Sequence, residues 1–307
     1  MLTAAIDLGG TRVKLGLLRD HQVLEICSFP SMEEYGLGSR LSQIEECINA
    51  LLGKHRRHGE ALAGIGVGFP GIVDSRQNIV LSTPKYKDAL ELDLPKWAEL
   101  NWSVPLKMEN DSRLACLGEW KAGAGKGTDD LVMITLGTGF GSSAVMEGRL
   151  IRGTHYQAGI LGGHSPVDFK GESCICGNRG CVETLASSWA LPGIIKMQRE
   201  DPNVYRGDAD YYALFEAFRK GNKAAIKLVD DSLNAWGAAL VNLIHAYDPQ
   251  MVILGGGIMN SGDIILPAME AWIKKYAWLS WGIVELKASL LGDKAALVGS
   301  SCLFLDN

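Results

Sequence analysis

Residues 2–8 and 12–18 carry two short, mostly apolar runs separated by Gly9-Gly10, and they predict two strands joined by a tight turn. A third strand is expected near 22–28, after the polar break Arg19-Asp20-His21. Over 38–57 the period changes, and Leu41, Ile44, Cys47, Ile48 and Leu51–Leu52 recur on one helical face. A strand at Ile65–Phe69 follows, then a loop at Pro70-Gly71, an irregular stretch through residue 100, and a strand at Pro105–Met108. Asn110, Asp111 or Ser112 can cap the next helix, which carries Leu114, Leu117, Gly118 and Trp120.

The pattern then begins again. Leu131–Leu136 reads as a strand, runs into Gly137-Thr138-Gly139-Phe140-Gly141, and is followed by a strand at Ser142–Met146. Beyond a cysteine-rich stretch the chain turns helical, notably over 222–246; the strand Met251–Leu254 opens into Gly255-Gly256-Gly257, and a last apolar helix covers 295–304. Each half thus opens with strand, glycine turn and strand, which predicts an α/β chain of two related lobes around a cleft. The expected division is 1–112 for the first lobe and 113–292 for the second, with a C-terminal helix at 293–307 packing back on the first.

Composition changes this picture little. At 307 residues two lobes are the default, and 47% hydrophobic with 21% charged residues is ordinary for a globular protein. A net charge of −5 without a basic tract argues against nucleic acid as a partner. The weakly polar stretch Ala61–Val73 is broken by glycines and Pro70 and is too short for a membrane span. No basic n-region precedes the first strand, and Cys27, Cys47, Cys116 and Cys302 are scattered, which fits a reducing cytoplasm.

The stretch from Gly163 to Glu183, GHSPVDFKGESCICGNRGCVE, gathers His164, Cys174, Cys176 and Cys181. One imidazole and three thiolates make a complete tetrahedral set for structural zinc, and the Gly-Asn-Arg-Gly turn can fold them round one ion. A disulfide such as Cys174–Cys181, or an incidental run of thiols, is the alternative. Three strand ends carry glycine turns: Gly9-Gly10-Thr11, Gly137-Thr138-Gly139 and Gly255-Gly256-Gly257. Glycine lets backbone amides approach a phosphate, and Thr11 and Thr138 add hydroxyls. None fits a Walker loop or a complete dinucleotide fingerprint, but together they point to nucleotide phosphates. Asp7, at the end of an apolar strand, suits either water-mediated magnesium binding or a cap on the following turn.

Taken together, these motifs resemble the ROK family (repressors, open reading frames and kinases) of the actin-like, ribonuclease H-like ATPases. The resemblance rests on Asp7–Thr11 with Lys14, on Gly66–Asp74, Glu109–Glu119, Leu136–Gly141, Gly163–Glu183 and Leu254–Gly257. It implies two such lobes, a cytoplasmic homodimer, and an ATP-dependent sugar kinase using Mg2+ with a structural Zn2+ at His164, Cys174, Cys176 and Cys181. ATP would be held by Asp7, Gly9, Gly10, Thr11 and Lys14, and by Gly137, Thr138, Gly139, Gly255, Gly256 and Gly257. The resemblance makes Asp111 the base that receives the substrate hydroxyl's proton; a plain helix cap is the other reading of that residue. Gly71, Asn110, His164 and Glu183 would join Asp111 in binding the sugar. Repressors of the family carry a helix-turn-helix before the first strand, for which Asp7 leaves no room.

Two positions depart from the family pattern. Its hexose kinases read AGxExGH before the first zinc ligand, whereas this chain has Leu161 at the carboxylate position, three residues before His164. Where an Asn-Leu pair is usual upstream, this chain has Pro84-Lys85-Tyr86. Losing a buried acceptor costs about 1–3 kcal/mol for each unpaired hydroxyl. The expectation is therefore a kinase for a sugar other than plain glucose, with glucokinase or a non-catalytic sugar sensor as the alternatives.

Overall fold

The structure is a computed structural model that describes residues 1–197, 205–280 and 282–305. The chain groups into two compact units. Unit 1 comprises Met1–Gly127, Arg152–Ala158 and Leu290–Asn307; unit 2 comprises Thr128–Ile151 and Gly159–Ser289.

Unit 1 begins with β1 (Leu2–Leu8), β2 (Arg12–Arg19) and β3 (Gln22–Pro30), an antiparallel meander. Then come α1 (Leu41–His55), β4 (Leu62–Phe69), the hairpin of β5 (Ile72–Asp74) and β6 (Ile79–Ser82), α2 (Leu94–Trp102), β7 (Leu106–Asn110) and α3 (Asp111–Ala122). The main sheet has the order β3-β2-β1-β4-β7, with β1, β4 and β7 parallel. β1 is central and buried on both faces, which explains its nearly unbroken apolar run. The helix expected over 38–57 is shorter: Gly38–Arg40 form one 3-10 turn, and Arg56 is extended. The stretch expected to be irregular holds β5, β6 and α2. Asp93 caps α2 by accepting the Lys96 amide, and Pro95 occupies its first turn.

Unit 2 contains β8 (Leu131–Leu136), β9 (Phe140–Met146), β10 (Arg149–Leu150), α4 (Val182–Leu185), α5 (Leu191–Met197), α6 (Tyr211–Arg219), α7 (Lys223–Tyr247), β11 (Met251–Gly255), α8 (Gly262–Tyr276) and β12 (Glu285–Ala288). Its sheet order, β10-β9-β8-β11-β12, repeats the topology of unit 1. Asn222 caps α7, and Trp236 on that helix is buried with its indole donating to the Ala186 carbonyl at 2.8 Å.

The last helix, α9 (Ala295–Cys302), belongs to unit 1 and packs on α3. The two backbones meet through glycines: a Cβ on Gly118 would strike the Ala295 carbonyl, and one on Gly299 would strike that of Leu114. One expectation about cysteines is corrected. Cys27 of β3 and Cys47 of α1 are joined in a disulfide across a Cα–Cα distance of 6.5 Å, so they are not separate thiols. The compartment argument drawn from scattered cysteines loses both.

Because α3 and α9 touch through backbone at Gly118, Gly118→Ala is expected to force them apart at a cost of about 1–3 kcal/mol. Thermal unfolding should show a lower midpoint. A wild-type midpoint would mean that the two helices separate freely.

Candidate functional site

Parallel pairing brings the carboxyl ends of β1, β4 and β7 together, so Asp7–Gly9, Pro70-Gly71 and Asn110-Asp111 leave the sheet of unit 1 at one edge. Open α/β sheets bind ligands at such an edge. The turn after β1 is braced by Ser31, whose hydroxyl donates to the Gly10 carbonyl at 2.8 Å and whose amide donates to Thr11 at 3.0 Å. The buried Tyr86 adds a hydroxyl 3.4 Å from the Gly9 carbonyl.

Of the three candidate caps of α3, Asn110 is the one that serves: its Oδ1 accepts the Arg113 amide at 3.2 Å. Its Nδ2 donates to the Gly71 carbonyl and to Asp111 Oδ1, both at 3.0 Å. Both amide protons are thus spent, and only a lone pair on Oδ1 is left for a further partner. Asp111 Oδ1 also accepts the Ser112 amide at 2.8 Å, whereas Oδ2 has no hydrogen bond to the described residues. Asp111 is therefore held by one oxygen and open at the other. Burial raises its pKa, against the Ser112 amide and hydroxyl and the Lys85 charge.

Loss of solvent also pushes the Asp7 carboxyl up to about 7, helped by the Asp111 and Asp293 carboxylates and opposed by Lys14. A carboxylate whose ionisation neighbouring carboxylates make costlier suits a cation, which is the donor chemistry magnesium takes. Lys14 is engaged nearby, its ammonium 3.4 Å from both the carbonyl and the carboxylate of Asp293.

In unit 2, β8 and β11 are parallel neighbours, so the turns at Gly137–Gly139 and Gly255–Gly257 lie side by side. Gly256 has φ +92°, and a Cβ there would collide with the Leu136 backbone. Ser188 and Trp189 amides donate to the Gly137 and Thr138 carbonyls, each at 3.1 Å. Glu183 ties this turn to the cysteine loop: its carboxylate accepts the Phe140 amide at 2.9 Å and the Trp189 indole at 3.2 Å. One lone pair on each Glu183 oxygen is used and one remains.

His164, Cys174, Cys176 and Cys181 converge, with their ligand atoms all within 4.8 Å of one another. Cys176 Sγ and Cys181 Sγ are 3.7 Å apart, and Cys174 Sγ and His164 Nδ1 3.6 Å. Bonds of zinc length in a tetrahedron give S–S and S–N edges of about 3.8 and 3.5 Å, so the set fits the ion. Cys174, Cys176 and Cys181 are free thiols, which disposes of the Cys174–Cys181 disulfide. Leu161, 42% exposed, precedes the 3-10 turn Gly162–His164, and its carbonyl accepts the His164 amide at 3.0 Å.

Sequence reasoning missed the network beneath Asp111. Glu109 and Arg113 are wholly buried and form an ion pair at 3.1 Å, and Arg152 reaches Glu109 at 2.7 Å. Arg113 also donates to the carbonyls of Arg152, Tyr156 and Ala158. The four-residue spacing of Glu109 and Arg113 was the available signal.

Two mixed sheets of one topology, with glycine turns at their carboxyl edges, define an actin-like ATPase fold. A model of the ROK family matches residues 3–307. The glucokinase of Thermotoga maritima is 32% identical over 308 residues, covering 97% of this chain and 95% of that protein. The structure of a ROK family glucokinase from Streptomyces griseus, in complex with glucose and AMPPNP, superposes with a TM-score of 0.80 at 29% identity over 99% of both chains. The ROK hexokinase of Thermus thermophilus gives 0.79, also at 29% identity, over 98% of this chain and 97% of that one. The chain belongs to the ROK family and has the kinase-type architecture of these structures. No helix among the described residues is long and apolar enough to cross a membrane.

Two outcomes are expected from this geometry. The first is about one zinc per chain on metal analysis of untagged protein, with Cys176→Ser lowering both zinc content and thermal stability, because metal binding and folding are coupled. Less than about half an equivalent would count against the site. The second concerns Asp7. Its raised pKa means that the folded, ligand-free protein holds a proton the unfolded chain has released between about pH 4 and 7, so this group's contribution falls as pH rises through that window and is flat above it. Asp7→Asn should show a smaller decline in melting temperature from pH 5 to 7.5 than the wild type; parallel profiles would mean that Asp7 titrates normally.

Proposed function

We propose that this protein is an ATP-dependent carbohydrate kinase that transfers the γ-phosphoryl group to a hydroxyl of a sugar other than plain glucose. The observation that carries the reading is Asp111, fixed through Oδ1 and open at Oδ2, at the same sheet edge as Asp7 and the Gly9–Thr11 turn. Asp111 Oδ2 takes the proton of the attacking sugar hydroxyl. The sugar hydroxyl's own oxygen bonds to the γ-phosphorus as its proton passes to Asp111, and the bond to the β-phosphate oxygen breaks with its electron pair leaving on ADP. Such a transfer demands placement and charge stabilisation more than strong basicity, and a carboxylate with a raised pKa is adequate. Magnesium arriving with ATP would supply charge neutralisation, and the Asp7 carboxylate is the group suited to hold it through water.

The paired turns Gly137–Gly139 and Gly255–Gly257 support nucleotide binding by unit 2, and the AMPPNP of the Streptomyces griseus structure supports the same ligand class. Zinc on His164, Cys174, Cys176 and Cys181 is structural in this reading, since four protein ligands leave no open position. His164 Nε2, which has no hydrogen bond to the described residues, and the spare lone pairs of Glu183 would take sugar hydroxyls. Leu161 offers none, and this separates the reading from glucokinase. The named activity of the Thermotoga maritima relative favours glucokinase as the second reading.

Steady-state kinetics on glucose, mannose, N-acetylmannosamine, fructose and allose, with deoxy and anhydro analogues, test the choice. Glucose is expected below about 10⁴ M⁻¹s⁻¹ in kcat/KM, with another sugar above it; a higher glucose value makes the protein a glucokinase. On the best substrate, Asp111→Asn should lose more than nine-tenths of turnover while keeping its fold and ATP binding. Retention of a tenth or more would remove Asp111 as the base.

A further inference from the structure

Lys85 lies on the loop after β6, and its backbone is pinned on both sides. The Thr83 hydroxyl donates to the Pro70 carbonyl at 2.8 Å and accepts the Lys85 amide at 3.0 Å. Tyr86 is buried against Phe69, with ring centroids 6.3 Å apart. From this fixed stem the side chain reaches the Gly9–Gly10–Thr11 turn: a Cβ on Gly10 would occupy the place of the Lys85 ammonium. The Lys85 side chain is three-quarters buried, and the ion-pair partner of its ammonium, Glu33, stands off at 3.5 Å. That is beyond a normal charge-assisted hydrogen bond, and Glu33 Oε2 is buried without any hydrogen bond. The Lys85 charge is also felt by Asp111. A largely buried lysine whose ammonium has no close acceptor, set over a glycine turn and with its charge felt by the candidate base, calls for an anion. Lys14 differs in having two oxygens of Asp293 at 3.4 Å, where Lys85 has one of Glu33 at 3.5 Å.

We propose that Lys85 is a further catalytic residue, one that contacts the transferred phosphoryl group as it moves from the Gly9–Thr11 turn to the hydroxyl at Asp111. The inference rests on the kinase reading above. The phosphoryl group spreads negative charge over its equatorial oxygens in flight, and a fixed cation in a water-poor site stabilises that state more than the ground state. Glu33 is a positioning residue that keeps the ammonium in place until the anion arrives. No proton need leave Lys85 at any step.

The test uses Lys85→Met, which keeps the stem and removes the charge, with Lys85→Gln as a second variant if the first is unstable, and Lys85→Arg as the conservative control. Melting temperature, kcat and KM for the best sugar and for MgATP, and dissociation constants for ADP and AMPPNP are measured on each. Expected are a fall in kcat of about a hundredfold with the sugar KM within about threefold, a drop of about tenfold in AMPPNP affinity and a comparable rise in KM for MgATP with ADP affinity unchanged, and substantial rescue by arginine. A kcat within threefold of wild type overturns the proposal, as does equal weakening of ADP and AMPPNP. A defect confined to KM for anionic sugars, tested with a uronic acid and a sugar phosphate, also overturns it and makes Lys85 a substrate-recognition residue. If the wild type turns over no sugar, the kinase reading fails by itself, and the AMPPNP-to-ADP comparison still decides whether Lys85 meets the terminal phosphate.

Discussion

Asp111 lies between the two ends of a buried ion pair, and that pair is the constraint on which unit 1 depends. Glu109 is the penultimate residue of β7, Arg113 stands in the first turn of α3, and both are wholly removed from solvent. Losing either partner would strand a charge at a cost of about 3–5 kcal/mol, so the junction between strand and helix has little freedom to shift. The same guanidinium gathers three carbonyls of the 152–158 segment, which is flanked in sequence on both sides by unit 2 yet belongs to unit 1. The capping bonds of Asn110 and the open Oδ2 of Asp111 follow from this rigidity. In the proposed role of accepting a proton from one hydroxyl, this carboxylate gains more from fixed geometry than from added basicity.

The repeated topology explains why glycine turns recur at corresponding places. In each unit a strand at the centre of the sheet ends beside a parallel neighbour, where the next residues must turn sharply without burying a side chain. Gly9-Gly10 does this in unit 1, and Gly137–Gly139 beside Gly255–Gly257 does it in unit 2. The close approach of Gly256 to the Leu136 backbone shows the packing demand directly. Phosphate binding is compatible with that demand because the backbone exposed by a missing Cβ is also what an anion can approach.

The central strands, the α3 start and the four metal-ligand candidates were legible because each rests on local pattern: an apolar run, a cap, or a cluster of soft ligands within a short loop. The hairpin β5–β6 and α2 were not read, although Asp93 and Pro95 marked the helix start, because elements of three, four and nine residues are too short to set a period firmly. The contacts of Arg113 to the 152–158 segment, the seat of Lys85 and the Cys27–Cys47 bond were hidden for a different reason. Their partners lie far along the chain or are brought close only by the sheet. Arg113 looks like an exposed helical arginine until β7 and the 152–158 segment enclose it, and Lys85 looks like a solvated loop lysine until Thr83 and Tyr86 fix its stem. Cys27 and Cys47 sit on a strand and a helix that meet only after folding.

On the proposed reading, the cysteine cluster bears on specificity as well as stability. His164 Nδ1 faces Cys174 at 3.6 Å, and the His164 and Ser165 amides close a tight turn onto the Leu161 and Gly162 carbonyls. A histidine fixed by a metal set cannot swing away, and the turn that follows Leu161 is fixed with it. On the kinase reading, a flexible loop could withdraw Leu161 and admit water to an unmatched sugar hydroxyl, recovering much of the lost hydrogen bond. A braced turn cannot, so the hydroxyl meets an apolar wall and the mismatch is paid in full, about 1–3 kcal/mol. On that reading, rigidity imposed three residues away turns one leucine into a discriminator between sugars.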